Sequence, residues 1–158
     1  MEPQAGHPRS YWLTVFSTKT WNEFMAAGGD ILGFRAGSAR LLAKVRPGDL
    51  LLSYVTRVSR FVAVLEVASD PYIDFSPIWS DEEFPHRVLV RRVVTVDMDR
   101  GVDIHSLVDR FTWAASAPSA TSWQGYVQNT LRRWDEQDGR LVLATLEANA
   151  PGSVSELS

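Results

Sequence analysis

The stretch VRPGDLLLSYVTRVSRFVAVLEV, residues 45–67, decides the fold. Leu50 to Val55 and Phe61 to Val67 are two runs dense in aliphatic, β-branched and aromatic residues, separated by the polar segment Thr56 to Arg60. Such a pair predicts an antiparallel hairpin. Pro47-Gly48 ahead of the first run is the signal of a tight turn feeding it. Working outward, Tyr11 to Phe16 predicts an opening strand that ends at Ser17, and Arg87 to Asp97 predicts the longest strand. Alternation in that strand puts Val88, Val90 and Val93 on one face and the arginines on the other.

The remaining elements are short helices. Thr20 to Ala27 places Trp21, Phe24 and Met25 on one side, with Thr20 as N-cap and Gly28-Gly29 as the stop. Ser38 to Lys44 predicts a second helical turn, and Asp103 to Arg110 a third, capped by its aspartate. From Ser122, the spacing of Trp123, Tyr126, Val127 and Leu131 predicts an amphipathic helix with Arg132 and Arg133 near its C-terminal end, where cations suit the dipole. Leu141 to Leu146 belongs to a last helix. Ser69 to Glu83, with Tyr72, Phe75 and Trp79, is a long loop of the kind that carries function. Strands interleaved irregularly with short helices predict an α+β domain with a mostly antiparallel sheet. The expected division is a flexible arm over 1–10, one domain over 11–148 and a flexible tail over 149–158.

Composition narrows the function. The chain has 158 residues, 45% of them hydrophobic and 22% charged, which fits one globular domain with its own core. No apolar run is long enough to cross a bilayer, and a cytoplasmic address, with no membrane partner, is the expectation. With no cysteine there is no thiolate metal site, and His7, His86 and His105 are scattered, so neither a metal nor any other cofactor is expected. The net charge of −3 argues against coating nucleic acid by bulk electrostatics. Any such partner is met locally. Of the basic residues only Lys19 and Lys44 are lysines, and arginine suits phosphate contacts and stacking.

Catalytic readings find little support, and no catalytic residue is assigned. There is no G-x-S-x-G elbow, no G-x-G-x-x-G and no G-x-x-x-x-G-K-[ST]. His105 and Ser106 are adjacent, and adjacent helix residues do not face each other. Asp81-Glu82-Glu83 reads as a solvated loop face more readily than as a paired-carboxylate or divalent-ion site.

The aromatic set is more informative. Tyr11-Trp12, Ser17, Trp21, Leu32-Gly33-Phe34-Arg35, Val45-x-Pro47-Gly48-Asp49, Pro71-Tyr72, Ser76-Pro77-Ile78-Trp79, Pro85-x-Arg87-Val88 and Trp123-x-Gly125-Tyr126 follow one another in an order that closely resembles the EVE domain family. The resemblance runs from about Tyr11 to about Arg140. It implies a PUA-like β-barrel with short flanking helices, related to the YTH domains that read N6-methyladenine. It also implies a site: a base turned out of its strand and held between aromatic walls, one of them Trp79. Leu32-Gly33-Phe34 would supply the second wall, through either Phe34 or Leu32. Ser17 would sit beside the pocket and Tyr54 would line it.

The function so implied is a non-catalytic module that holds a flipped, methylated or hydroxymethylated base of DNA or RNA. Arg35, Arg57, Arg60, Arg132 and Arg133 are the candidates for backbone contacts. Trp21, Trp123 and Tyr126 are secondary pocket candidates, with Trp123 and Tyr126 more readily read as packing, and Trp12, Trp113 and Trp134 are assigned to the core. The alternative on the same scaffold is metal-independent RNA cleavage of the ASCH type, for which Lys19, Tyr54 and Arg87 would have to share a cleft. A monomer is expected.

Overall fold

The computed structural model describes residues 8–116, 122–127 and 130–150. The predicted hairpin is its centre: β3 (Leu50–Val55) pairs antiparallel with β4 (Arg60–Val67). Arg57 and Ser59 carry the turn with φ of 73° and 57°. β1 (Tyr11–Phe16) lies parallel to β3, and β6 (His86–Thr95) lies antiparallel to β4. With β2 (Ile31–Phe34), the short β5 (Tyr72–Ile73) and β7 (Val102–Asp103), and β8 (Arg132–Trp134), these make one eight-stranded sheet of order β2-β6-β4-β3-β1-β8. The sheet is mostly antiparallel and curls into a half-barrel, so the fold is the expected α+β, PUA-like class. Among the described residues three α-helices flank it: α1 (Thr18–Ala26), α2 (Ala39–Leu42) and α3 (Glu136–Asn149).

Alternation along the strands divides the core in two. Tyr11, Leu13, Leu50, Leu52, Tyr54 and Phe61 face α3 and the 3-10 turns around Ile104 to Phe111. Trp12, Phe16, Leu51, Val55, Leu65 and Val88 face into the curl, where Trp21 and Phe24 of α1 close one end. The V-x-P-G-D turn joins the faces. Gly48 takes the left-handed φ of 97° that the turn needs, and the buried Asp49 carboxylate accepts from Ser10 N, Arg46 N and Trp12 Nε1 at 3.0 Å each. That buried acceptor ties the turn to β1.

Three expectations are corrected. The helix predicted from Ser122 is a 3-10 segment, Ser122–Val127, after which Arg132, Arg133 and Trp134 form β8. Leu131, at φ 57°, donates its N–H to Leu13 O at 2.9 Å, and Leu13, Trp12 and Tyr11 then pair with 132–134. The open edge of β1 outweighs helical spacing, as tertiary pairing commonly does. In β6, Val93 is exposed and Val94 buried, because a bulge sets Val64 opposite Val94 and Leu65 opposite Arg92, leaving Val93 as the extra residue. The first helix starts earlier than predicted: Ser17 is its N-cap and Thr20 its N3 residue, the two forming a reciprocal capping box. The expected flexible arm and tail fall largely on 1–7 and 151–158, outside the described residues.

Candidate functional site

The open end of the curl holds a cavity of about 490 Å³. Its lining comes from the end of β1 (Thr14 to Ser17), from Thr20 on α1, from Leu32 to Arg35 of β2 and its exit, and from Gly37, Ser38, Trp79, Phe84 and Thr130. The volume is that of a small-molecule site. Among the described residues lining it there is no carboxylate, and the polar groups are hydroxyls, backbone and the Arg35 guanidinium.

Trp79 is the best-anchored wall. Its Nε1 donates to Thr20 O at 3.2 Å, and its ring meets Phe84 edge-on at 5.3 Å between centroids. Its neighbours are latched to the same helix: Ser80 Oγ donates to Glu23 Oε2 at 2.7 Å, and Lys19 Nζ lies 2.9 Å from Asp81 Oδ1. Thus α1 presents three consecutive attachment points to residues 79–81. Gly33 makes the approach possible. A Cβ at Gly33 would lie 2.6 Å from Phe84 O and 2.8 Å from Trp79 Cζ3, so no side chain fits there. The glycine of Leu32-Gly33-Phe34 is therefore a packing requirement of the indole itself.

Behind Trp79 lies Arg87, which is fully buried. Its Nε donates to Phe84 O at 3.1 Å, and its Nη2 donates to Ser76 O at 2.6 Å and Glu83 O at 3.0 Å. The guanidinium stands 5.6 Å from the Trp79 ring centroid and its Nη1 is 3.7 Å from Asp74 Oδ2. Asp74 in turn accepts from Ser76 N and Oγ at 2.8 and 2.7 Å, and these bonds, with Arg87 nearby, hold its carboxyl below its ordinary range. At the rim, Arg35 forms a bidentate pair with Glu82, with Nε 2.7 Å from Oε1, and sits 5.7 Å from the Phe84 centroid. That pairing lowers the Glu82 pKa and raises that of Arg35. The acidic run is thus a set of partners for Lys19 and Arg35, and among the described residues no cluster of three or more His, Asp or Glu could hold a metal.

Of the residues singled out from sequence, Trp79, Phe34, Leu32, Gly33, Ser17 and Arg35 converge on the cavity. Leu32 and Phe34 both reach it, so the choice between them dissolves. Tyr54 does not: it faces the other core, packed on Phe61 at 5.1 Å, because the alternation of β3 turns it away from the curl. Trp21 is buried against Phe16 and Phe24, beneath the cavity's lining rather than in it.

The other arginines lie outside the lining as well. Arg57 is exposed in the hairpin turn and Arg60 donates to Met98 O at 3.0 Å. Arg133 reaches Ser10 Oγ at 3.1 Å, while Arg132 donates to Gly125 O and covers the Tyr126 ring at 4.6 Å. Tyr126 itself stacks on Trp113 at 4.4 Å, and Trp113 on Phe111 at 4.9 Å, a ladder on the α3 side of the sheet. The side chain of Trp123 lies outside the described residues. Lys19, Tyr54 and Arg87 share no cleft: Lys19 is an exposed surface residue paired to Asp81, Tyr54 is in the far core and Arg87 is sealed behind Trp79.

Phe84 was missed, and Arg87, named only for the family pattern and the RNA-cleaving alternative, was given the wrong place. Phe84 carries no signal beyond its place before Pro85 in an aromatic loop. Arg87 was assigned to the solvent face by strand alternation; the signal against that is its place directly after a long loop, whose carbonyls need a donor.

The chain is 25% identical over 150 residues to a UPF0310 protein of Pyrococcus abyssi, covering 87% of this chain and 99% of that one. Its fold is like that of the YTH domain of Zygosaccharomyces rouxii MRB1 protein, solved in complex with N6-methyladenosine RNA. That likeness has a TM-score of 0.64 at 18% identity and covers 93% of this chain and 94% of that one. The Pho92 YTH domain in complex with m6A gives a TM-score of 0.68 at 16% identity, covering 96% and 93%. The EVE domain pattern matches residues 10–122, most of the chain and every wall of the cavity but Thr130. On that match the chain belongs to the EVE domain family.

Proposed function

We propose that this domain is a non-catalytic nucleic-acid-binding module that receives one base, swung out of a DNA or RNA strand and carrying a methyl or hydroxymethyl group. The observation that carries the reading is the cavity of about 490 Å³ walled by Trp79, whose indole is fixed by the protein's own contacts at Thr20, Gly33 and Phe84. A wall already held in place loses little entropy on binding. The fold likeness to YTH domains solved with N6-methyladenosine RNA supports the same assignment.

The energetics fit a reader of modest affinity. Extruding a base costs a few kcal/mol of stacking unless the strand is already single, and each aromatic face it gains returns about 1–3 kcal/mol. Burying one extra methyl adds only about 0.8 kcal/mol, roughly a factor of four. Stronger discrimination requires polar contacts that the unmodified base leaves unpaired, at about 1–3 kcal/mol each. Flanking phosphates would supply the rest, and Arg35 at the rim would meet one by exchanging its Glu82 partner for a phosphate.

The test is fluorescence anisotropy with labelled single-stranded oligonucleotides carrying 5-methylcytosine, 5-hydroxymethylcytosine or N6-methyladenine. At least one binds more tightly than its unmodified counterpart, and Trp79→Ala weakens that binding tenfold or more. Indifference to all three, or full affinity in the folded variant, removes the reading.

A further inference from the structure

A buried charge lies over the ring of the pocket's best-anchored wall, outside the lining itself. Arg87 is fully buried, its guanidinium carbon lies 5.6 Å from the Trp79 ring centroid, and three backbone carbonyls hold it there. A ring that already has a cation on one face has π density drawn to that side, and its other face looks through a thin, poorly screening layer at a fixed positive charge. The Asp74 carboxylate, 3.7 Å from Nη1, faces solvent on its other side, so water screens much of the offset it provides. Arg35 at the rim has its own partner in Glu82, and among the described residues lining the cavity no acid is free to greet an incoming cation. A receptor for a cationic base needs the reverse: bare ring faces and a nearby carboxylate.

We propose that Arg87 is a positioning and specificity-determining residue that tunes the pocket for neutral bases and against bases that carry a positive charge on a ring nitrogen. This rests on the pocket being a base receptor. It separates modified bases by charge rather than by size: N6-methyladenine and 5-methylcytosine are neutral, whereas their isomers N1-methyladenine and 3-methylcytosine are cations at neutral pH. The members of each pair carry one methyl group apiece and differ only in its position and in the one proton that the cation holds, so burial of the methyl does not distinguish them.

The experiment measures affinity of the intact protein for single-stranded oligonucleotides bearing each isomer. At pH 7 the neutral member of the pair that binds is favoured at least tenfold. Raising the pH until the cationic base gives up its proton narrows that gap several-fold, while affinity for the neutral isomer stays level; the N1-methyladenine arm is read within minutes and its base recovered unchanged, because alkali slowly rearranges it to N6-methyladenine. Arg87→Gln, with folding checked by circular dichroism, narrows the gap at pH 7, an effect that a merely structural role for Arg87 does not produce. If the variant does not fold, the pH series on the unaltered protein decides. A cationic isomer bound as tightly as the neutral one at pH 7 overturns this inference and leaves the pocket reading intact; failure of every isomer to bind overturns both.

Discussion

The two faces of the curled sheet are about equally aromatic and use their rings in opposite ways. On the α3 side, Phe111, Trp113 and Tyr126 stack on one another at 4.4–4.9 Å and the Arg132 guanidinium caps the ladder. Trp134 meets Phe61, Phe111 and Trp113 edge-on. There the indole nitrogens of Trp113 and Trp134 are buried with no hydrogen-bond partner among the described residues. Inside the curl, Trp12 and Trp79 each have their nitrogen bonded, to Asp49 and Thr20, and the rings stop short of filling the space. Ring content therefore does not mark a site. A ring marks a site when its orientation is fixed by a hydrogen bond and a close backbone, and when a void remains beside it.

The sharpest way to break this contrast is to empty each side in turn. Trp134→Ala removes a buried indole that three other rings touch, and the expected cost is about 3–5 kcal/mol, enough to consume much of a small domain's stability. Chemical denaturation reads it, and where the variant stays folded its oligonucleotide affinity is unchanged. A comparable loss of affinity in folded Trp134→Ala would erase the division of labour between the faces. Next in size is Gly33→Ala. The new methyl meets backbone and an indole edge at 2.6 and 2.8 Å, neither of which can swing aside cheaply. Displacement of Trp79 should cost about 1–3 kcal/mol of stability, and base affinity should fall at least tenfold. Unchanged affinity would mean that the pocket does not depend on the placement of Trp79.

How much of this was legible beforehand depends on how local each cause is. The hairpin, β1 and the PGD turn follow from runs and punctuation within a few residues, and they stand as expected. Trp79, Gly33 and Ser17 were marked by motif order, and the structure gathers them around one cavity. What resisted reading was set by distant partners. Trp123 to Leu131 has helical spacing that carries Arg132 and Arg133 with it, but the unpaired edge of β1, more than a hundred residues away, makes Arg132 to Trp134 a strand. Tyr54 looked like any aromatic near a pocket, and only the pleat of β3 decides which face it takes. Arg87 reads as a solvent-facing arginine until the loop carbonyls of Ser76, Glu83 and Phe84 close around it.

A smaller effect tests the link between the cavity and α1. Ser17 lines the pocket and caps the helix at once: Thr20 N donates to its Oγ at 3.0 Å, and its own N–H donates to Thr20 Oγ1 at 2.9 Å. Ser17→Ala should therefore lose about 1 kcal/mol of stability through the cap. If the hydroxyl also meets the base edge, affinity falls several-fold as well, whereas Ser17→Thr, which keeps an oxygen for the cap, preserves stability. Because the hydroxyl is already committed to Thr20, loss of stability without loss of affinity would restrict Ser17 to the cap.

The smallest expected effect is that of pH on the loop behind the pocket. Asp74 and Glu82 both have lowered pKa values, the first from its bonds to Ser76 and the second from its bond to Arg35. A carboxyl lowered on folding stabilises above its unfolded pKa, and the contribution disappears as pH falls through the folded value. Lys19 is raised by Asp81, so its contribution is complete below the ordinary lysine range and is lost as pH climbs through the raised value. The ion pairs flanking Trp79 should accordingly be intact from about pH 5 to pH 9. Across that window the denaturation midpoint should not move because of them, and below about pH 4 it should fall as the carboxylates protonate. All of these groups but Arg87 are largely solvent-exposed, so the acid-side drop is small. A midpoint that slid steadily between pH 8 and pH 5 would show that a different titrating contact, and not these pairs, holds the loop against α1.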